Sequence, residues 1–168
     1  MPWFQKMTEP ANYSLTQIFL HWLIAALILA QYLTSGAIVR MNKTHTLGHS
    51  MGDWDDILHK LHMRVGLLIL LLMGGRLLLR LLQGVPLQIG NPVLWTTKAA
   101  RFVHWAFYAL VIAQSVTGAV ASYFWFPIAP LHQALFKLML VTIIIHVAAA
   151  TWHHFKLGDA TLKRMLKP

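Results

Sequence analysis

Four long apolar runs constrain the fold of this chain more than any other feature of its sequence. They cover about residues 14–39, 57–82, 98–124 and 130–155. A helix needs about 20 mostly apolar residues to cross a membrane, so each run is long enough to span it. Lipid offers no partner to backbone N–H and C=O groups, so each run must form a helix. The sequence predicts an all-α fold, a transmembrane four-helix bundle in which residues 1–168 form a single domain.

The composition agrees with a membrane protein. Hydrophobic residues make up 57% of the chain and charged residues only 11%, whereas a soluble domain carries about 25% charged residues. The net charge of +9 would suggest a nucleic-acid partner in a soluble protein. Here the basic residues flank the apolar runs, so we predict contact with membrane lipid and no nucleic acid.

Lysines and arginines are distributed unevenly between the two sides of the predicted bundle. Nine lie on one side and five on the other, together with three of the five acids. Because basic residues are enriched on the cytoplasmic side, both termini are predicted to be cytoplasmic, and in a bacterium the first and third loops would face the periplasm. The nine are Lys6, Arg76, Arg80, Lys98, Arg101, Lys156, Lys163, Arg164 and Lys167, and the five are Arg40, Lys43, Lys60, Arg64 and Lys137.

The segments outside the apolar runs give further expectations. Residues 1–13 lack the basic start and the cleavage site of a signal peptide, so we expect the first run to be an anchor. Glycines and aspartates mark the first loop, and glycines and prolines mark the second. The third loop, around residues 127–130, is very short. The first loop is expected to hold Gly48, Gly52, Asp53, Asp55 and Asp56, and the second Gly84, Pro86, Gly90 and Pro92.

An internal duplication relates the two halves of the chain. Residues 19–22 (Phe-Leu-His-Trp) match residues 102–105 (Phe-Val-His-Trp), and an Ala-Gln pair and a threonine follow at the same spacing in both spans. The second and fourth spans match more weakly, through Leu-His at 61–62 and 131–132. We interpret the chain as two related helical hairpins.

Histidines are the residues that carry chemistry here. The chain has no cysteine, which excludes disulfides, iron–sulfur clusters, thiolate zinc sites and covalent c-type haem. His21 and His104 lie near the predicted cytoplasmic ends of their spans, and His62 and His132 near the periplasmic ends. His146 lies deeper in the fourth span. Ionisable residues inside membrane spans are functional candidates, because burying them in lipid is costly.

The spacing between His132 and His146 is the most informative one. Fourteen residues advance a helix by about 21 Å and return to nearly the same face. One helix therefore presents two imidazoles at two depths, and each needs a partner. At the periplasmic depth the partner is His62, and at the cytoplasmic depth it is His21 or His104. Paired imidazoles from facing helices can hold haem iron, so the pattern predicts two haems b that carry electrons across the membrane.

Several other residues have two interpretations each. Small residues (Gly66, Gly74, Gly75, Gly118 and residues 148–150) could leave room for a porphyrin or serve helix packing. His153 could bind a quinone carbonyl or simply lie at the interface, where His154 is also expected. His59 is an alternative to His62, and His45 and His49 are expected in a solvated loop. Arg76 and Arg80 could contact haem propionates or a quinone, or extend to lipid headgroups.

These residues resemble the bacterial cytochrome b561 family, small di-haem, quinone-linked cytochromes of the inner membrane. The resemblance rests on residues 18–22, on His62 followed by residues 76–80, and on His146 followed by residues 153–154 and 157–165. It covers nearly the whole chain. It extends more distantly to the cytochrome b subunits of hydrogenases and formate dehydrogenases.

The family pattern implies roles for particular residues. It implies His62 and His132 on the periplasmic haem, and His21 and His146 on the cytoplasmic haem. It also implies a ubiquinone site near His104 and His153. One type of member is a superoxide oxidase, which oxidises periplasmic superoxide and reduces ubiquinone. This chain departs from that type in its very short third loop, which lies on the periplasmic face.

Three functions are therefore considered. The first is a superoxide:ubiquinone oxidoreductase in which Lys60, Arg64 and Lys137 attract the superoxide anion. The second is an electron-transfer module that docks with a separate dehydrogenase or soluble cytochrome, with the aspartates of the first loop as a contact. The third is a metal or proton transporter that uses histidines as a relay.

Overall fold

A computed structural model describes residues 12–46, 52–85, 94–156, 158 and 162–166, with backbone only for 41–46 and 94–97. Four long α-helices dominate it, and the described residues contain no strand. The helices are α1 (Leu15–Thr46), α2 (Asp53–Gln83), α3 (Leu94–Tyr123) and α4 (Ala129–Lys156). Short 3₁₀ helices lie at Phe126–Ile128 and Lys163–Met165.

All four predicted spans are present. Each helix is long and apolar enough to cross a membrane, which confirms the transmembrane four-helix fold. With 28 to 32 residues each, the helices are about 42 to 48 Å long. Because this exceeds the hydrocarbon thickness of about 30 Å, their ends reach beyond the apolar layer.

The helix starts follow from local chemistry. Ser14 and Gln17 form a capping box at the start of α1: Gln17 N–H donates to Ser14 Oγ at 3.3 Å, and Ser14 N–H donates to Gln17 Oε1 at 3.1 Å. At the start of α2, Asp53, Asp55 and Asp56 occupy the first turn, where carboxylates stabilise the positive end of the helix dipole.

The observed helix ends show that part of the loop prediction was wrong. The three aspartates were expected in the first loop and instead belong to α2. The backbone of His45, also expected in that loop, lies in the last turn of α1. Pro130, where the fourth span was predicted to begin, lies in the first turn of α4, where a missing N–H costs nothing.

Some residues used in the sequence analysis lie outside the described part of the chain, or have a described backbone only. The first group is Lys6, Gly48, His49, Pro86, Gly90, Pro92, Leu157, Asp159, Ala160, Thr161 and Lys167, and the second is Lys43 and His45.

Consecutive helices pack side by side, α1 on α2, α2 on α3 and α3 on α4. Tyr32 joins α1 to α4, because its hydroxyl donates to the Phe136 carbonyl at 3.0 Å and the two rings lie 4.3 Å apart. The four helices therefore form a ring in which α2 and α4 occupy opposite corners. At the centre lies a cluster of buried side chains: Ile24, Ile69, Met73, Tyr108, Val111 and Met139.

The described parts nearest the two termini meet at one end of the bundle. Ser14 Oγ donates to Gln83 Oε1 at 3.0 Å, and the Trp22 indole N–H donates to the Met165 carbonyl at 2.8 Å. We call this the terminal end. The opposite end carries Asp53 and the 3₁₀ helix Phe126–Ile128, and we call it the loop end.

Candidate functional site

His62 is held near the loop end by two side chains of α1. Gln31 Nε2 donates to the His62 carbonyl at 2.8 Å, and Thr34 Oγ1 lies 3.4 Å from the Nδ1 atom of the His62 imidazole. Gly66, one turn further along α2, makes room for this contact, since a Cβ there would lie 3.1 Å from Gln31 Nε2.

His132 has matching surroundings at the same end. Gln114 Nε2 lies 3.2 Å from His132 Nε2, and Thr117 Oγ1 lies 3.3 Å from His132 Nδ1. The same Nδ1 atom is 3.0 Å from the Gln114 carbonyl. Gly118 is required for this packing, because a Cβ there would lie 2.8 Å from the His132 ring.

The two sets of contacts give the internal duplication a structural counterpart. Gln31 and Thr34 of α1 correspond in sequence to Gln114 and Thr117 of α3. Each Gln–Thr pair contacts the loop-end histidine of the helix that follows it. The two threonines therefore make the same contact with the imidazole, whereas Gln31 binds the His62 backbone and Gln114 contacts the His132 ring.

His62 and His132 both lie at the loop end of the bundle, and we call them the loop-end pair. They belong to α2 and α4, which occupy opposite corners, and they lie within electrostatic reach of each other. His59, one turn before His62, is also within reach of it. The loop-end pair thus supplies one imidazole from α2 and one from α4.

A second group of imidazoles lies towards the terminal end. His21 of α1 lies within electrostatic reach of His104 of α3 and His146 of α4, with Arg76 of α2 beside them. We call these four residues the terminal-end cluster. It contains one side chain from each helix, so it occupies the interior of the bundle at the second predicted depth.

Ring contacts within this cluster involve His146. Its ring lies 5.9 Å from that of His104 and 5.1 Å from that of Phe107, edge to face in both cases. His21 instead packs against Trp22, at 5.3 Å. The structure thus brings both candidate partners of His146, His21 and His104, to the same level of the bundle.

A small cavity of about 20 Å³ opens beside His104 at the terminal end. Arg76 is fixed next to it, because its Nη1 donates to the Gln17 carbonyl at 2.7 Å. The Arg80 guanidinium lies 5.8 Å from the Trp105 ring and 5.7 Å from the Tyr108 ring, within range of a cation–π interaction. The cavity is lined by Tyr13, Gln17, Arg76, Arg80, Gly84, Val85, His104, Tyr108 and Met165.

Tyr13 supplies a hydroxyl group to this cavity. Burial raises the pKa of Tyr13, although the nearby Arg80, Arg76 and Arg164 lower it in part. The phenol therefore stays protonated at neutral pH and can donate a hydrogen bond. Together with His104 and the two arginines, it makes the cavity suitable for an uncharged or anionic group with oxygen acceptors.

Several residues that line the cavity were not recognised as candidates from the sequence. Tyr13, Gln17, Tyr108 and Met165 line the cavity, yet none was a candidate. Gln17 could have been recognised from the sequence, because it is a polar residue inside an apolar run. In the structure it is buried, with 7% exposure. Met165 has no such signal, since only the folded chain brings the C-terminal segment to the cavity.

The remaining histidine and glycine candidates lie away from the cavity lining. His153 lies in the last turn of α4 and is not among the residues that line the cavity. His154 is next to it, with its ring 4.8 Å from Phe155. Gly74 and Gly75 are exposed on the outside of α2, and a Cβ on either would meet nothing within 4 Å. These two glycines therefore do not make room in the interior, unlike Gly66 and Gly118.

The described basic side chains of the loop end are exposed, and two of them pair with partly exposed aspartates. Lys60 Nζ pairs with Asp56 Oδ2 at 2.6 Å, and Arg40 Nη2 pairs with Asp55 Oδ1 at 2.6 Å. Two of the three acids expected to form a docking surface are thus already paired with basic neighbours. Arg64 and Lys137 are exposed too.

The histidines fit the axial ligands of haem. Haem iron bound on both faces takes one protein ligand from each side, and the loop-end pair offers one imidazole from each of two opposed helices. In His132, Nδ1 lies beside two oxygens and Nε2 accepts a hydrogen bond from the Gln114 amide. Nε2 is therefore the nitrogen that carries the lone pair, and a metal would bind it in place of the Gln114 amide. Gln114 Oε1 is buried and has no hydrogen-bond partner, which marks the same interior as polar. Within the described residues, no three His, Asp or Glu side chains converge as ligands of a bare metal ion.

Comparison with known proteins supports this chemistry. The family model described as prokaryotic cytochrome b561 matches residues 12–168. Among curated proteins, the chain is 28% identical over 165 residues to cytochrome b562 of Cereibacter sphaeroides, covering 96% of this chain and 99% of the relative. It is 27% identical over 177 residues to the probable superoxide oxidase CybB of Yersinia pestis, with 92% and 96% covered. It is 25% identical over 180 residues to cytochrome b561 homolog 1 of Escherichia coli K12, with 92% and 97% covered.

The family match covers residues 12–168, which is nearly the whole chain. The matched region contains all four helices and every histidine of the loop-end pair and the terminal-end cluster. The chain therefore belongs to the prokaryotic cytochrome b561 family, whose members are multi-pass bacterial membrane proteins that bind haem b and transfer electrons.

Proposed function

We propose that this protein is a di-haem superoxide:ubiquinone oxidoreductase of the bacterial inner membrane. The observation that carries the proposal is the placement of imidazoles at two levels about 21 Å apart along α4, with a cavity beside the terminal-end level. Two redox centres would then connect a donor at one membrane face with an acceptor at the other. The relative named probable superoxide oxidase CybB adds support from similarity.

The proposed ligands of one haem b are the loop-end pair, His62 and His132. The proposed ligands of the other are His21 and His146 of the terminal-end cluster. The choice of His21 over His104 is supported by the cavity, which His104 lines and His21 does not. His104 is then available to a second molecule, whereas His21 lies within electrostatic reach of His146 and does not line the cavity.

The proposed quinone site is the opening of this cavity. Its volume of about 20 Å³ has room for a water-sized group, so the quinone ring would lie against the residues at the opening. A quinone presents two carbonyl oxygens, and the side chains of His104, Tyr13, Arg76 and Arg80 offer donors to them. Reduction of a quinone places negative charge on these oxygens, which the two guanidinium groups would stabilise. His153, at the end of α4, remains a proposed contact of the quinone outside the cavity itself.

The loop end is the proposed entry point of superoxide. Lys60, Arg64 and Lys137 are exposed there, and exposed positive charges raise the encounter rate of a small anion. Two superoxide anions would each give up one electron and become dioxygen, and ubiquinone would take up the two electrons and two protons. We propose that this end faces the periplasm and that the terminal end, with most of the lysines and arginines, faces the cytoplasm.

The chemistry divides between cofactor and protein. Bound haem supplies reversible one-electron transfer. The protein's imidazoles would hold each iron, and the apolar cluster around Val111 and Met139 is buried in the interior of the bundle. Arg76 and His104 hold the acceptor next to the terminal-end cluster. Tyr13, which is protonated at neutral pH, can donate a proton or a hydrogen bond to it.

The proposal is tested by mixing the purified, haem-loaded protein with a pulse of superoxide and following haem absorbance on the millisecond scale. We expect rapid haem reduction, followed by reoxidation when ubiquinone is present, with dioxygen and ubiquinol as products. A protein whose haems stay oxidised under superoxide, but accept electrons from a copurifying dehydrogenase or soluble cytochrome, would contradict the proposal. That outcome would instead establish the electron-transfer module as the function.

A further inference from the structure

Two threonine hydroxyls lie against the loop-end imidazoles, one in each hairpin. Thr34 Oγ1 is 3.4 Å from His62 Nδ1, and Thr117 Oγ1 is 3.3 Å from His132 Nδ1. The partners are 28 residues apart in the first case and 15 in the second. The same atoms thus meet although the connecting segments differ in length, so the contact is a property of the repeat and not of one loop.

The direction of these hydrogen bonds follows from the other contacts of the hydroxyls. Thr34 Oγ1 donates to the Ala30 carbonyl at 2.9 Å, and Thr117 Oγ1 donates to the Ala113 carbonyl at 2.7 Å. A hydroxyl has a single hydrogen, and in each threonine it is directed to its own helix. With its hydrogen on this carbonyl, the oxygen accepts towards the imidazole. At His132 the Gln114 carbonyl, 3.0 Å from Nδ1, also requires a proton on Nδ1. The matching contact of Thr34 assigns the same tautomer to His62, with the lone pair on Nε2.

We propose that Thr34 and Thr117 are positioning residues for the two loop-end imidazoles. Each accepts a hydrogen bond from Nδ1–H and so holds its ring in the tautomer whose Nε2 can bind iron. This inference rests on the proposed assignment of His62 and His132 to one haem. Such a bond fixes the orientation of a metal-bound imidazole and makes it a stronger electron donor, which favours the oxidised metal.

The two positions are not equivalent. His132 Nδ1 has a second acceptor, the Gln114 carbonyl at 3.0 Å. Among the described residues, Thr34 is the hydrogen-bond acceptor that lies at His62 Nδ1. Loss of the hydroxyl should therefore affect the His62 side more than the His132 side. Both changes should act on the same haem, because the two imidazoles belong to one pair.

The test uses the haem-loaded protein with Thr34→Val and Thr117→Val, each compared with the serine variant, which keeps the hydroxyl. Thr151→Val is the matched control, since Thr151 Oγ1 donates to the Val147 carbonyl at 2.7 Å and the residue is exposed on α4. The readouts are the midpoint potential of each haem, from absorbance during a redox titration, and the affinity for added haem.

We expect Thr34→Val to raise the midpoint potential of one haem and Thr117→Val to raise that of the same haem by less. Haem binding at this site should weaken about tenfold to a hundredfold for Thr34→Val. The serine variants and Thr151→Val should match the unmodified protein. Unchanged potentials in both valine variants would overturn the inference, as would serine variants that behave like the valine variants.

A further variant separates this result from the proposed function. His62→Ala should lose one haem. If it does, and Thr34→Val still has unmodified potentials, the positioning role is wrong while the ligand assignment stands. If His62→Ala keeps both haems, the ligand assignment itself is wrong, and the inference falls with it.

Discussion

The rings of His104 and His146 lie edge to face, with their centroids 5.9 Å apart. His21 is within electrostatic reach of both, so one imidazole of α4 has two potential partners at the same level. His104 also lines the cavity that contains Arg76 and Arg80. This double contact supports the proposal that His104 binds a quinone and that His21 is the haem ligand.

We predict that His21→Ala loses the terminal-end haem, whereas His104→Ala keeps both haems and loses quinone reduction. The reason is that an axial ligand cannot be removed without loss of the iron site, while a hydrogen-bond donor to quinone can. Haem content by pyridine haemochrome and ubiquinol formation would be measured on both variants. Loss of haem in His104→Ala but not in His21→Ala would mean that the two roles are exchanged.

Replacement of His132 by Ala is predicted to remove the loop-end haem only. The haem-to-protein ratio should fall by about half, because one of two sites loses an axial ligand. His154→Ala is a suitable control, since this histidine at the end of α4 is assigned to neither haem. A His132→Ala variant with an unchanged ratio would exclude His132 as an iron ligand.

Gly118→Ala is predicted to weaken the loop-end haem site through sterics alone. A Cβ at this position would lie 2.8 Å from the His132 ring, so the imidazole must shift. Elsewhere in a helix, Gly→Ala is favourable by up to about 1 kcal/mol. Gly74→Ala is the matched control, because a Cβ there meets nothing within 4 Å.

Haem occupancy and thermal stability would be compared for the two glycine variants. We expect lower occupancy of one haem for Gly118→Ala, and unchanged occupancy with equal or higher stability for Gly74→Ala. Equal occupancy in both would show that the close approach of α3 to His132 is not needed for haem binding.

Neutralisation of Lys60, Arg64 and Lys137 is predicted to slow superoxide capture and to flatten its dependence on salt. Exposed charges steer an anion over a screening length of about 8–10 Å near physiological ionic strength. The control carries the same change in net charge at the terminal end, through Lys98→Gln, Arg101→Gln and Lys156→Gln, and should keep the original rate. If the two triple variants were equally slow, net charge and not local steering would explain the effect.

Much of the fold could be predicted from the sequence because its main constraint is local. In lipid each apolar run must satisfy its own backbone hydrogen bonds, so the four helices and the all-α class follow from composition and length. The helix ends were less predictable. Asp53 was expected in the first loop. It lies instead in the first turn of α2, where its negative charge stabilises the helix dipole.

The histidine groups were predictable in part for the same reason. The 14-residue spacing of His132 and His146 places them on one face at two depths whatever the helix packs against. The sequence could also show the repeated Gln and Thr of α1 and α3, but not what they contact. That Thr34 meets His62, and Thr117 meets His132, depends on how adjacent helices are oriented.

Tertiary structure alone decided which residues share the cavity. Arg76 and Gln17 are 59 residues apart in the chain, and Trp22 and Met165 are 143 apart. Whether such residues meet depends on the order, tilt and rotation of the helices, which are set by the packing of many side chains together. No local pattern encodes these quantities, so spacing could place imidazoles at two levels but could not show that His104, Arg76 and Tyr13 meet around one space.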